Sequence, residues 1–530
     1  MLRHPIGSVG TTALRDEIEL LVRPGRQRLV PGPAEDQLCP EDGDGSGRIG
    51  KDRVTSPEQL RRTTRAASGA SPLPLLLSVN QEGGRLNALD WEQVSQLPGA
   101  LALGAAGEEE MSELAGKAIG AQLRAVGLTW NLAPVCDLAD WPSVSAVGTR
   151  ALGSDPEHVA RLAAGFVRGL QSAGVAATAK HFPGLGGVAA DPHHAVPIVD
   201  RLAPGALVPF QAAVDAGAAS VMIGSHVVRE IDDQPAVISP RAIGLLRDQL
   251  GFDGVVVSEN LSITAVHEPL GGIARAAVAA VAAGVDVVML DSEVSRGHQP
   301  QWARKAAVRH RAEVVQALVA SVHSGLISRQ RISRAAERVL RLHHRFGFCQ
   351  GSDQPDWQQA NALAGEAAGR IAEKSVTVLR GAHLLPLALP PSAPLGLLRV
   401  PDSGQRRADS ARNGPDLVPS VLLERHSALL EMGVGCEIPP GARTVVVYSY
   451  DTRTEAGARS LAASEAARLA GRGLPVVQIA LGDTDDLTGS PADVVIAAFS
   501  PHRASVSAVA DILFGQGRAH GTLPVRGPSW

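Results

Sequence analysis

The sequence predicts an α/β protein, a (β/α)8 TIM-like barrel followed by a smaller α/β sandwich domain. Two observations carry this. From Leu73 onward one pattern repeats: a short apolar run, a polar cluster, then an Ala-, Leu- and Arg-rich helical stretch. Each run is continuous rather than alternating, and it ends on a polar or ionisable residue. Continuous apolar runs of about five to eight residues belong to strands covered on both faces, and intervening helices require parallel order. Ionisable residues at C-terminal strand ends suit a barrel, which builds its site there. A doubly wound open sheet gives the same alternation and stays open on pattern alone.

The runs come in order as LPLLLSVN, ending at Asn80, GLTWNLAPVCD, ending at Asp137, and GVAATAKHF, carrying Lys180 and His181. ASVMIGSH follows, ending at His226, then DGVVVSEN with Glu259, and GVDVVMLD, ending at Asp291. Six runs are readable where a full barrel has eight, so a front strand is expected in the N-terminal region. Residues 1–72 are poorly patterned, and 31–50, rich in Gly, Pro and Asp, read as loop. The barrel domain is expected over 73–348, closing with a helix over 333–344. A linker and connecting helix fill 349–372. The sandwich takes 373–530, where SVTVLR, PLGLLRV, TVVVYSYD, LPVVQIALG and DVVIAAFS alternate with helical stretches such as 453–472. No independent chemistry is visible in that second part.

Composition narrows the function. The chain has 530 residues, enough for two or three domains, with 45% hydrophobic and 20% charged residues. Aromatics are 3%, so Ala, Val and Leu must do the packing. A net charge of -4 provides no basic field for a phosphate backbone, which argues against nucleic acid as a partner. Cys39, Cys136, Cys349 and Cys436 are scattered, without the spacing of a zinc site or a disulfide framework. Acidic residues interrupt the N-terminal MLRHPIGSVGTTALRDEIELLV, unlike a secretory signal, and nowhere is there an apolar run of about 18 residues for a membrane segment. A cytoplasmic protein acting on a small molecule is the expectation.

Two constellations offer chemistry. In the first, a strand ends at Lys180-His181, a Gly/Pro-rich loop follows, and Asp191-Pro192-His193-His194 comes next. An Asp two residues before a His can orient the imidazole and raise its basicity, which suits a proton shuttle. The bland alternative is a surface loop in which Asp191 caps a turn and both histidines are solvated. No G-K-[ST] follows the glycines, so a phosphate loop is excluded. In the second, GFDGVVVSENL delivers Glu259 at a strand end. Glycosyl transfer with retention needs a carboxylate on one face of the ring and an acid/base opposite, about 5 Å away. Alternatively, Glu259 is an acid at a helix N-terminus. Asn80 in SVNQEGGR and Arg150 in VGTRALGSDP are candidates for binding hydroxyls or for fixing loops. His343 and His344, adjacent on a helix, point apart and make no metal site.

In this order, LLLSVNQEGGR, NLAPVCDL, GTRALGSDPEHVARLAAGFVRGLQSAGVAATAKHFPG, the Asp191-Pro192-His193 loop and GFDGVVVSENLS closely resemble glycoside hydrolase family 3. The likeness is to its bacterial β-N-acetylglucosaminidase (β-hexosaminidase) branch. It runs from Leu73 to the end, with EKSVTVLRG and ILFGQGRAHGTLPV similar to the closing domain. The resemblance implies a barrel plus sandwich, no metal, no organic cofactor, a small saccharide substrate and a covalent glycosyl-enzyme. It implies His193 as acid/base, Asp191 as its partner, Glu259 at the nucleophile position, and sugar binding by Asn80, Arg150, Lys180 and His181. Release of terminal N-acetylglucosamine from peptidoglycan- or chitin-derived saccharides is the implied activity.

The chain departs from the family pattern at four places. Glu259, followed by Asn260, stands where the family carries Asp, and the extra methylene carries the carboxylate about 1.5 Å further out. Asn80 replaces a sugar-binding acid, keeping an acceptor, adding a donor and losing the charge. Leu185 and Gly187 stand for His and Asp. These changes motivate the competing readings: a catalytically weakened or inactive sugar-binding relative, or a glycosyl phosphorylase or β-glucosidase of the same family.

Overall fold

Among the described residues, seven short parallel strands organise the first domain: β1 (Val22–Pro24), β2 (Ser78–Val79), β3 (Trp130–Asn131), β4 (Thr178–Phe182), β6 (Ser220–Ile223), β8 (Val255–Asn260) and β9 (Val287–Leu290). A separate parallel pair, β5 (Ile198–Val199) and β7 (Val227–Val228), lies beside them. The computed structural model describes residues 22–24, 56–69, 74–139, 147–186, 196–290, 301–348, 351, 353–390, 392–401, 417–450, 460–482 and 484–526.

Neighbours run β2-β3, then through parallel bridges Trp130 to Ala176 and Val135 to Lys180 onto β4, then β4-β6-β8-β9. β1 pairs with β9 in parallel, so the first strand of the chain lies beside the last of the series. The front strand expected in the N-terminal region is therefore Val22–Pro24. A helix, Pro57–Gly69, also comes from the poorly patterned segment and joins the core of this domain through Leu60 and Ala67. Its apolar face holds few large residues, which is why periodicity alone passed over it.

The continuous apolar runs are buried at nearly every position, as two covered faces require. Helices cover the strands at short range. A Cβ on Gly116 would lie 2.3 Å from the Phe166 carbonyl, and one on Gly169 2.0 Å from the Glu113 carbonyl. Glycine costs about 1 kcal/mol inside a helix, and here it permits helices Glu109–Ala125 and Pro156–Ser172 to touch backbone to backbone. Asp155 caps the second of these, accepting from the His158 N–H at 2.8 Å.

At the opposite end of the strands from the polar termini, fully buried Asp286 collects Arg247 at 2.5 Å, Arg331 at 3.1 Å and Arg338 at 3.4 Å. It also accepts from the Val256 N–H at 3.0 Å. Burial pulls the Arg247 guanidinium down to about 10 against the attraction of Asp286. Removing one partner of such a cluster strands buried charge, so Asp286→Asn is expected to destabilise the chain by about 3–5 kcal/mol. Urea unfolding of the variant checks this.

The second domain is a six-stranded sheet in the order β10-β15-β14-β13-β11-β12. Its strands are Thr377–Arg380, Leu395–Arg399, Leu429–Met432, Thr444–Ser449, Val476–Ala480 and Val494–Ala497, numbered β10 to β15 in chain order. β10 is antiparallel to β15 and the rest are parallel. Both faces are packed: Val446 and Tyr448 enter one core, Val445 and Val447 the other. Five strands coincide with the expected runs. β12 is not among the expected runs, because it is a half-exposed edge strand whose short apolar run is broken by Glu431. The helical stretch expected over 453–472 is a helix at Leu461–Ala470, with 451–459 outside the described residues. No described helix is long and apolar enough to cross a membrane.

Candidate active site

Parallel strands bring their C-terminal ends to one edge of the sheet, and five of the seven predicted site residues lie along that edge or in the turn that reaches it. Asn80 follows β2, Lys180 and His181 lie in the C-terminal half of β4, and Glu259 is the last residue but one of β8. Arg150 closes a short turn, Gly148–Arg150. Asp191 and His193 fall in 187–195, outside the described residues.

Lys180 is the centre of the first cluster. Its Nζ donates to Asn80 Oδ1 at 2.9 Å and meets Glu82 Oε1 at 2.5 Å. Arg150 clamps the same carboxylate with two bonds, Nε to Oε2 at 2.8 Å and a terminal nitrogen to Oε1 at 2.9 Å. Lys180 is 1% exposed and Glu82 6%, so neither charge could be left alone there. Burial would raise the Glu82 carboxyl, yet Arg150 and Lys180 hold it well below the ordinary carboxylate range. The loop bearing Glu82 is shaped locally. Asn131, at the end of β3, accepts from the Gln81 N–H at 2.9 Å and donates to the Gln81 carbonyl at 2.8 Å. Gly83 and Gly84 then turn at φ 84 and 60, which favours glycine.

The second cluster surrounds His181. Asp137 accepts from His181 Nδ1 at 2.7 Å and from the Leu185 N–H at 2.7 Å. Burial opposes the Asp137 charge, but His181 and these N–H groups keep its carboxyl below the usual range. The carboxylate fixes the ring's orientation and places the Nδ1 proton. Glu259 is half-buried, and its Oε2 accepts from the Ser225 N–H at 2.8 Å. The helix-terminus alternative for Glu259 is not realised: its carboxylate turns to the end of β6, while Asn260 Oδ1 accepts from the Ser262 N–H at 3.0 Å. Next to Ser225, His226 is buried. Burial lowers its pKa, against the pull of the Asp137 and Glu259 carboxylates.

Two residues absent from the predicted set belong to this edge. Glu82 is the ion partner of both cations, and Asp137 orients His181. Both had a readable signal, an acid in the Gly loop beyond β2 and an acid ending a run, but neither pairing is encoded by spacing. His343 is buried on its helix with Nδ1 against the Pro74 carbonyl. Among the described residues no group of three or more His, Cys, Asp or Glu is placed to hold a metal ion. The edge therefore offers a carboxylate on β8 and a set of charged and neutral donors on β2 and β4, suited to a polyhydroxylated ligand.

Residues 48–342 match the glycosyl hydrolase family 3 N-terminal domain. A β-hexosaminidase of Stenotrophomonas maltophilia (strain K279a) is 38% identical over 251 residues, 45% of this chain and 74% of that protein. One of Pseudomonas aeruginosa (strain LESB58) is 40% identical over 241 residues, 44% of this chain and 71% of that protein. Over nearly the whole length, the structure of a family 3 β-N-acetylglucosaminidase from Paenibacillus sp. str. FPU-7 superposes with a TM-score of 0.78 at 29% identity. It covers 97% of this chain and 98% of the other.

Proposed function

Because the chain belongs to glycosyl hydrolase family 3 and has β-hexosaminidases as relatives, we propose that it is an exo-acting, retaining glycoside hydrolase. It releases terminal β-linked N-acetylglucosamine from peptidoglycan- or chitin-derived saccharides, on the C-terminal face of a (β/α)8 barrel. Glu259 attacks the anomeric carbon while His193, with Asp191 as its partner, gives a proton to the departing oxygen. A water molecule then loses its proton to His193, attacks the same carbon and frees Glu259. Asn80, Lys180, Arg150 and His181 bind the sugar hydroxyls. The observation that supports this best is the Glu259 carboxylate at the end of β8, held by the Ser225 N–H at 2.8 Å on the edge that also carries Lys180 and His181. That bond fixes a side chain one methylene longer than the Asp that the family resemblance implies there.

Release of nitrophenol from its β-N-acetylglucosaminide tests the reading. With this activated leaving group His193→Ala is expected to slow turnover by about 10²-fold or more. Retention of full activity in that variant removes the acid/base assignment. A second reading, a catalytically weakened sugar-binding relative, is favoured by Asn80 and Glu259, which depart from the residues the family resemblance implies at those positions. It predicts N-acetylglucosamine binding by calorimetry without nitrophenol release. Adding phosphate to the same assay distinguishes phosphorolysis, which would yield the sugar 1-phosphate.

A further inference from the structure

The second domain grips both chain segments that carry the Glu82–Arg150 ion pair. On one side is the loop 81–85. The Gly84 carbonyl accepts from Asn87 Nδ2 at 2.8 Å and, across the domain boundary, from His502 Nε2 at 2.9 Å. A carbonyl only accepts, so Nε2 carries the His502 proton. One residue on, the Arg85 guanidinium lies 5.4 Å from the centre of the Tyr450 ring, just beyond β13. On the other side is the segment following Arg150. The Pro524 carbonyl accepts from the Ser154 N–H at 3.0 Å, and Ser154 Oγ accepts from the Arg526 N–H at 3.0 Å. A Cβ on Gly153 would stand 2.6 Å from the Pro524 carbonyl oxygen, so the tail has no slack there.

These grips fall two residues from Glu82 and four from Arg150. Neither residue sits on a long helix or strand of the first domain, yet one carboxylate must meet two cations, Arg150 and Lys180, with bonds of 2.5–2.9 Å. Between the grips, Glu82, Thr149 and Arg150 line a small cleft with Tyr450, Phe499 and Pro501 of the second domain. Phe499 takes φ 56, a backbone region that non-glycine residues rarely adopt and that recurs where surroundings over-determine a site.

The geometry points to the second domain as a positioning clamp: His502, together with the tail 522–526, sets the separation of the Glu82 loop and Arg150. Through Glu82 this fixes the cations that face the sugar. His502 is a positioning residue and touches no substrate. This inference rests on the sugar-site reading above, since a clamp on Glu82 matters to a ligand only if Lys180 and Arg150 bind one.

The test uses the full chain with His502→Ala, His502→Gln and Ser154→Ala. KM and kcat for the nitrophenyl glycoside, Ki for N-acetylglucosamine, and hydrogen exchange of 81–87 and 148–154 are measured. Removing uniform binding raises KM with kcat held. His502→Ala is therefore expected to raise KM and Ki together by about tenfold, with kcat within about threefold. Exchange in 81–87 speeds up, and His502→Gln, which retains an N–H, restores all of these toward wild type. Ser154→Ala shifts KM the same way, with faster exchange in 148–154. A lowered melting temperature with KM, Ki and exchange unchanged means that His502 only docks the domains, and the clamp is overturned. Should wild type neither cleave the glycoside nor bind N-acetylglucosamine, the functional reading fails by itself. The exchange data then still decide the clamp, which is lost if His502→Ala leaves 81–87 unaltered.

Discussion

Glu259→Gln is expected to reduce kcat on the nitrophenyl β-N-acetylglucosaminide by about 10³-fold or more while leaving the fold intact. Gln has the shape and the acceptor oxygen to keep the Ser225 N–H bond of 2.8 Å, but its amide oxygen is too poor a nucleophile to open a covalent route. Losses of this size are seen when a nucleophile is removed from an otherwise complete site, the residue left being binding and electrostatics. Stopped assays on wild type and variant, with melting curves alongside, check it. Unchanged turnover in the variant would take the nucleophile away from residue 259. Glu259→Asp is the sharper companion. It shortens the arm and withdraws the carboxylate from Ser225, so a fall in kcat would mean that this site is built around the longer side chain.

Glu82→Gln should be the more damaging change to the protein as a whole. It leaves Lys180 and Arg150 facing a neutral amide in a buried setting, and breaking such an arrangement on one side costs about 3–5 kcal/mol. The cost should also carry a pH dependence. Arg150 and Lys180 hold the folded carboxyl of Glu82 below its unfolded value. Its contribution is therefore fully present above the unfolded pKa, about 4.3, and is lost as pH falls from there toward the depressed folded value. Wild type is expected to lose stability steeply over that acid range, with Glu82→Gln flatter in the same range and weaker above it. Denaturant midpoints at pH 3 to 7, chosen to bracket that value, measure both. Parallel slopes in the two proteins would mean that Glu82 is not held low by its partners.

Much of the architecture was legible because burial on two faces leaves a mark in the sequence. The runs containing Thr178–Phe182, Ser220–Ile223, Val255–Asn260 and Val287–Leu290 each read as strands and each are strands. Leu429–Met432 did not, since an edge strand needs no continuous apolar run. Helix Pro57–Gly69 was missed for a related reason: small residues do most of its packing.

Residue order along the chain set the strands, their direction and the polar residues at their ends, because backbone periodicity and burial are local properties. Which charges meet is a matter of three-dimensional distance. Lys180 lies 100 residues from Asn80, and Arg150 lies 68 from Glu82. His502 reaches Gly84 across 418 positions. No spacing rule encodes such pairings. They follow from strand ends gathered at one sheet edge and from a second domain folded onto it, where low dielectric makes each charge seek the partner that packing has brought near.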